Sequence, residues 1–293
     1  MLNAILQKDL AEYDEWSLLG RGSFSDVYRV RERSTGRLLA CKVIASQDLA
    51  IREKEFLEKV CHPLFPQFER FEQLQGKFYV FMEYIPGVTL KEFITRRGVL
   101  TGRQAAQLGV VLADGLLYLH EQRNPVIYRD LKPENVLIQQ DGRVRLIDLG
   151  CACFVEEKKN TMAGTRGYAA PEQLEEKRKA GVESDVYALG KNLQYALGVE
   201  IFVNRRGMAR VLYKRHKRSR VSREFARLLA DMTKTERRQR VQDMRICLHR
   251  LECVKRLEKK KGIKRMCALI MMSRKRHKGE LDFYYEKNIN RGT

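Results

Sequence analysis

The hydrophobic period of the chain changes once, and that change confines it to a β-rich part followed by an α-rich part. Residues 16–44 alternate like antiparallel strands, WSLLGRGSFSDVYRVRE and RLLACKVIA, around a turn at Ser34-Thr35-Gly36. Residues 48–60 switch to a helical pattern with Leu49, Phe56, Leu57 and Val60 on one face, and His62-Pro63 closes it. A second strand pair is expected at Phe68–Gln73 and Lys77–Tyr84, which makes a small sheet with one helix. From Leu90 the period becomes 3.6, with a long apolar helix over Thr101–Gln122. Short strands VLI and VRLI follow around the Asp141-Gly142 turn, and everything from Pro171 onward reads as helices. Two lobes joined by a short hinge near Glu83–Gly87 are the arrangement this order predicts, with no internal repeat.

Composition allows substantial cores: 293 residues, 44% apolar, 32% charged and six prolines exclude disorder of the whole chain. The net charge of +20 is unevenly placed, since residues 1–203 hold 28 basic and 28 acidic side chains and residues 204–293 hold 29 and 9. A neutral working body joined to a basic C-terminal third is the expectation, rather than a nucleic-acid module basic throughout. Seven cysteines, with Cys151 and Cys153 too close for a metal knuckle, read as reduced thiols. The acidic N-terminus and the lack of a long apolar run predict a cytoplasmic protein.

Three polar features interrupt this pattern. Gly20-Arg-Gly22-Ser-Phe24-Ser25-Asp-Val27 lies between two strands, where glycines let backbone N–H groups approach phosphates; by itself it also reads as an ordinary hairpin turn. Lys42, in Ala40-Cys41-Lys42-Val43, is an ammonium inside an apolar strand and needs anions. Glu53 on the following helix supplies one and phosphates the other, with Glu55 and Glu58 as competitors. The third is Tyr128-Arg129-Asp130-Leu131-Lys132-Pro133-Glu134-Asn135, followed by Asp148-Leu149-Gly150, Gly164-Thr165-Arg-Gly-Tyr168-Ala-Ala170-Pro171-Glu172 and Ser184-Asp185-Val-Tyr187-Ala-Leu-Gly190. In this order and spacing the motifs resemble the protein kinases of the Ser/Thr type over about Trp16 to Arg250, and the phrase GYAAPEQ with a 25-residue activation segment (148–172) looks most like bacterial members.

The resemblance implies an α+β, two-lobed kinase fold. It gives a mainly antiparallel β N-terminal lobe with one regulatory helix (1–84), a larger, mainly α catalytic lobe (85–251) and a basic tail (252–293). It implies ATP and Mg²⁺ as cofactors and protein substrates as partners. Asp130 would take the proton of the substrate hydroxyl, Lys132 would reach the transferred phosphate, and Asn135 and Asp148 would be the hard oxygen ligands of Mg²⁺. Met82 would be the gatekeeper beside adenine, the Glu83-Tyr84-Ile85 backbone would hydrogen-bond the base, and Val27 and Ala40 would pack on its faces. Plain core packing is the competing reading for those three side chains. Glu172 would pair with Arg238, with Arg237 and Arg240 as close competitors, and Asp185 would anchor the catalytic loop backbone. Thr165 would contact that loop through its hydroxyl, and Thr161 is the natural phosphate acceptor for Arg129.

Ser25, Tyr128 and Leu149 replace the third loop glycine, the usual histidine and the usual phenylalanine of the family, and none removes a metal or phosphate ligand. Asp-Leu-Lys-Pro-Glu-Asn points to Ser/Thr rather than Tyr specificity and to an autophosphorylating signalling enzyme. The rival readings are a catalytically inert scaffold, a small-molecule kinase, and a binding protein whose work is done by its basic third. In the tail, Lys259-Lys-Lys261, Lys264-Arg265 and Arg274-Lys-Arg276 surround MCALIMM, a pattern suited to peripheral attachment at an anionic membrane or to an acidic protein, with nucleic acid ranked behind.

Overall fold

The computed structural model describes residues 10–22, 24–157, 163–175, 179–203, 208–213 and 221–258. Two compact units emerge. Among the described residues one comprises Leu10–Cys61 and Phe65–Pro86, and the other His62–Leu64 and the residues from Gly87 to Glu258.

The first unit is an antiparallel sheet of β1 (Tyr13–Arg21), β2 (Ser25–Glu32), β3 (Leu38–Ile44), β4 (Phe68–Leu74) and β5 (Lys77–Glu83), in the order β1-β2-β3-β5-β4. Its core gathers Tyr13, Trp16, Tyr28, Val30, Leu39, Cys41, Val43, Tyr79 and Phe81, with Tyr13 stacked on Phe81 at 4.5 Å. Leu39, Cys41 and Val43 supply the β3 face of that core, so strict alternation sends Ala40 and Lys42 to the opposite face. Helix α1 (Gln47–Lys59) meets the sheet and buries Ala50, Glu53, Phe56 and Leu57. The register pairs Lys42 with Val27 and with Val80, and Ala40 with Met82. Directly paired residues share a face, so Val27, Ala40, Lys42 and Met82 all present to one side of the sheet.

The second unit is built on α3 (Gly102–His120), a helix apolar enough to be surrounded, with Ala105, Ala106, Leu112, Ala113, Leu116 and Leu119 fully buried. It packs against α4 (Val182–Leu197) and α6 (Met244–Leu257). Both α2 (Leu90–Arg97) and α3 begin with capping boxes, Thr89 with Glu92 and Thr101 with Gln104, which satisfy orphan N–H groups of their first turns. At Gly115 a Cβ would crowd the Leu64 side chain, so the glycine lets the His62–Leu64 segment lie close against α3. Small sheets β6-β8-β9 and β7-β10 frame the polar loops: β6 (Val88–Thr89), β7 (Val126–Ile127), β8 (Val136–Ile138), β9 (Val144–Leu146) and β10 (Cys153–Phe154). Helix α5 (Arg223–Met232) completes the unit.

One expectation is overturned. The chain after Pro171 is not helical throughout, because β11 (Val199–Val203) and β12 (Ala209–Tyr213) form an antiparallel hairpin. Gly198, at φ 63°, ends α4 in the left-handed conformation. The following VEIFV and ARVLY are rich in β-branched and aromatic residues that suit a half-buried strand. Helix α6 also runs past residue 251, burying Leu251 and Val254 before it ends at Leu257. Thr161 and the tail from residue 259 lie outside the described residues.

Candidate active site

In the first unit the turn after β1 is closed by the Gly22 N–H, which donates to the Ser25 carbonyl at 2.7 Å. A Cβ at Gly20 would meet nothing within 4 Å, so packing within the protein does not demand that glycine. Lys42 resolves its need for an anion on Glu53, with Nζ 2.7 Å from Oε2 and 2.8 Å from Oε1, both side chains buried. The competing Glu58 pairs instead with Lys54 along α1. Met82 and Ile85 are buried, and the Glu83 N–H donates to the Gln67 carbonyl at 2.9 Å.

The polar loop of the second unit is held by its backbone. Asp185, fully buried at the start of α4, accepts the N–H groups of Tyr128 (2.8 Å) and Arg129 (2.9 Å) and the Nε2 of His120 (2.9 Å). Gln173 donates to the Arg129 carbonyl at 2.8 Å and Asn192 to the Leu131 carbonyl at 2.8 Å. These anchors over-determine a strained turn in which Arg129 sits at φ 67°. At Gly164 (φ 112°) a Cβ would fall 2.9 Å from the same Arg129 carbonyl, so glycine is required where the downstream segment meets the loop.

That frame presents the Asp130 carboxylate. Oδ2 receives Lys132 Nζ at 2.6 Å and Asn135 Nδ2 at 3.2 Å, and Oδ1 receives the Thr165 hydroxyl at 2.8 Å. Lys132 Nζ also lies 3.3 Å from Thr165 Oγ1. Burial works against the Lys132 charge, but its hydrogen bond to Asp130 and the charges of Asp130 and Asp148 outweigh that and hold its pKa above the ordinary lysine value. Tyr128 donates its hydroxyl to the Ile147 carbonyl; burial, then the charges of Asp148 and Asp130, push its phenol well above the usual tyrosine pKa. The Ile147 N–H in turn donates to the Asn135 carbonyl at 2.9 Å, continuing the β8-β9 ladder and setting Asn135 and Asp148 at neighbouring strand ends. Asp148 has φ 71° and accepts the Gly150 N–H at 3.1 Å.

The family model for the protein kinase domain matches residues 13–251. The chain belongs to the protein kinase family. Among its relatives are the cAMP-dependent protein kinase catalytic subunit PRKX of Homo sapiens, 31% identical over 189 residues, which are 62% of this chain and 52% of that protein. Rhodopsin kinase GRK7 of Sus scrofa is 34% identical over 190 residues, 61% of this chain and 34% of that one. The probable serine/threonine-protein kinase PknB of Lactococcus lactis is 32% identical over 185 residues, 59% of this chain and 29% of that one. The kinase chain thus spans about half or less of the length of these relatives.

One expected partnership changes. Glu172 pairs with Arg240, not Arg238, through Nη1–Oε1 at 2.6 Å and Nη2–Oε2 at 3.0 Å, with the Ser184 hydroxyl on Oε1 at 2.8 Å. The short 3₁₀ turn Arg237–Gln239 leaves Arg238 exposed, directs Arg237 to Glu183 and carries Arg240 inward, where its guanidinium lies 5.0 Å from the Tyr187 ring centre. Burial raises the Glu172 pKa, but the bonds and charge of Arg240 outweigh it and hold the carboxyl below its ordinary value. His120, Gln173 and Asn192 escaped the sequence reading; a single polar residue on a helix or in a short 3₁₀ turn carries no periodic signal of its own.

Proposed function

We propose that the protein is a serine/threonine protein kinase that transfers the γ-phosphoryl group of ATP to hydroxyl groups of proteins, its own included. The observation that carries this reading is the Asp130 carboxylate, which already accepts an alcohol O–H, that of Thr165, with Lys132 Nζ beside both. A substrate hydroxyl would use the same acceptor. As its oxygen bonds to the γ-phosphorus, the bridging P–O bond breaks, the electron pair leaves with ADP, and Asp130 takes the hydroxyl proton. Lys132 meets the charge on the transferred group, and Lys42, fixed by Glu53, meets the other phosphates.

Asn135 and Asp148 fit Mg²⁺. Both offer hard oxygens, and the Asn135 amide nitrogen is committed to Asp130, which reserves Oδ1 as the ligand atom. Held by Asn135 and Asp148, the cation would supply positive charge to offset that of the phosphates. Val27, Ala40 and Met82 pack against adenine. Because the Glu83 N–H is engaged by Gln67, the base pairs with the Glu83 carbonyl and the Ile85 N–H. Arg129 Nε rests on the Cys151 carbonyl at 2.6 Å and would gain a stronger, anionic partner on phosphorylation of Thr161.

The test is transfer from radiolabelled Mg²⁺-ATP to a generic protein and to the chain itself. Asp130→Asn and Asp148→Ala are each expected to abolish it with the fold retained. A folded wild-type protein that neither binds Mg²⁺-ATP nor modifies any protein would replace this reading with the scaffold.

A further inference from the structure

From Ala163 to Pro171 the chain reads Ala-Gly-Thr-Arg-Gly-Tyr-Ala-Ala-Pro, and Arg166 is the single charged residue among small, apolar and hydroxyl side chains. It is therefore not one member of a solvated charge run. Thr165–Tyr168 forms a β-turn in which the Thr165 carbonyl accepts the Tyr168 N–H at 3.0 Å and also the Ala169 N–H at 2.9 Å. Gly167, at φ 93°, takes the third position with the backbone that a type II turn requires there. Arg166 occupies the second position, at the corner, and is exposed. A Cβ at Gly167 would meet nothing within 4 Å, so the corner stands clear of neighbouring atoms. No described residue forms an ion pair or a hydrogen bond with the Arg166 guanidinium.

The base of the same turn touches the acceptor carboxylate. The Thr165 hydroxyl donates to Asp130 Oδ1 at 2.8 Å, and the Arg166 Cα is one residue, about 3.8 Å, farther along. A protein segment that brings its own hydroxyl to Asp130 advances at most about 3.6 Å per residue, so the side chains within two positions of that hydroxyl pass beside the corner. The neighbouring charges are already committed. Lys132 Nζ lies 2.6 Å from Asp130. Glu134 is close enough to Tyr168 to help burial push its phenol up to about 12, yet this carboxylate is met by Lys91 Nζ at 2.8 Å. Arg166 is left as the unpaired cation of the turn, and its planar fork of donors is matched by a carboxylate.

We propose that Arg166 selects the substrate by taking the carboxylate of an aspartate or glutamate that lies within two residues of the phosphorylated hydroxyl. The inference rests on the phosphotransfer reading above and names the substrate class of that same site. Serine peptides carrying Asp, Ala or Lys at each of the two positions on either side of the acceptor are the probes. Two measurements on the full chain compare them: radiolabel transfer from Mg²⁺-ATP, and equilibrium binding of the fluorescently labelled peptides, which needs no transfer.

Asp is expected to be preferred over Ala by about fivefold in kcat/KM and in affinity at one or more of these positions, the upper range for an ion pair in contact with solvent. The preference should weaken at high salt. Arg166→Ala should bring the ratio close to one, Arg166→Lys should keep part of it, and Arg166→Glu should reverse it in favour of Lys. Arg166 is exposed and its φ is not positive, so these side chains fit the turn and circular dichroism should match that of the unaltered chain. Transfer, or binding where no transfer occurs, that shows no preference for Asp would overturn the proposal. So would a preference that Arg166→Ala leaves unchanged. Binding of the Asp peptides that depends on Arg166, without any transfer, would uphold the subsite and overturn the phosphotransfer reading instead.

Discussion

Arg240→Ala is the sharpest test of how the second unit is held together. The substitution removes a bidentate partner from Glu172 and also donors to the Lys234 and Glu183 carbonyls at 3.0 and 2.8 Å. Glu172 would keep the Ser184 hydroxyl and a backbone N–H but no cation, while remaining almost wholly out of water. Breaking such a buried pair from one side costs about 3–5 kcal/mol, because the remaining charge is uncompensated. For a fold of this size that is a fall in melting temperature of roughly 10 °C. Arg238→Ala, at an exposed position, should stay within about 0.5 kcal/mol of the unaltered chain. The pH dependence has a fixed sign. Since the folded-state pKa of Glu172 is lowered, its contribution is complete above the unfolded value and is lost as pH falls through the folded one. The Arg240→Ala deficit should therefore shrink on acidification, and Glu172→Gln with Arg240→Ala should cost less than the sum of the two single changes. Thermal and urea unfolding followed by circular dichroism decide the matter. A loss under about 1 kcal/mol for Arg240→Ala, or a larger one for Arg238→Ala, would refute the argument.

Three further changes separate holding from chemistry. Lys42→Met should abolish phosphoryl transfer and destabilise the first unit by about 3–5 kcal/mol, whereas Lys42→Met with Glu53→Gln should recover most of that stability and none of the activity, as read by unfolding and radiolabel transfer. Thr165→Ala should lower kcat about tenfold by removing the hydroxyl that positions Asp130 and Lys132, while Thr165→Ser stays within about twofold. Tyr128→Phe leaves the Ile147 carbonyl without its phenol donor and should cost about 1–3 kcal/mol in unfolding, and transfer should fall as well, since the same phenol hydrogen-bonds the Asn135 side chain.

What the sequence disclosed and what it hid divide along a physical line. The sheet, α1 and α3 were legible because their burial repeats with period 2 or 3.6 over many residues, and Asp130, Asn135 and Asp148 because ordered motifs mark them. Glu53 could be singled out among three glutamates only as a candidate; the choice depends on which turn of α1 faces β3, a packing fact the sequence does not contain. Arg240 was missed for a related reason. Three of the four residues from Arg237 to Arg240 are cationic, and only the 3₁₀ turn among them decides which enters the core. His120, Gln173 and Asn192 are a different class. Each buries a polar group whose partner is a backbone amide, a backbone carbonyl or a carboxylate far away in sequence, so the residue type alone carries no sign of its role. The hairpin at 199–213 failed for a third reason, since a 3.6-residue period that holds on both sides was carried across a segment whose valine, isoleucine, phenylalanine and tyrosine alternate instead. The position of Asp130 thus rests on both kinds of information. Its identity is written in the motif, and its orientation is written in Asp185, Gln173 and Asn192, which fix the backbone on either side of it.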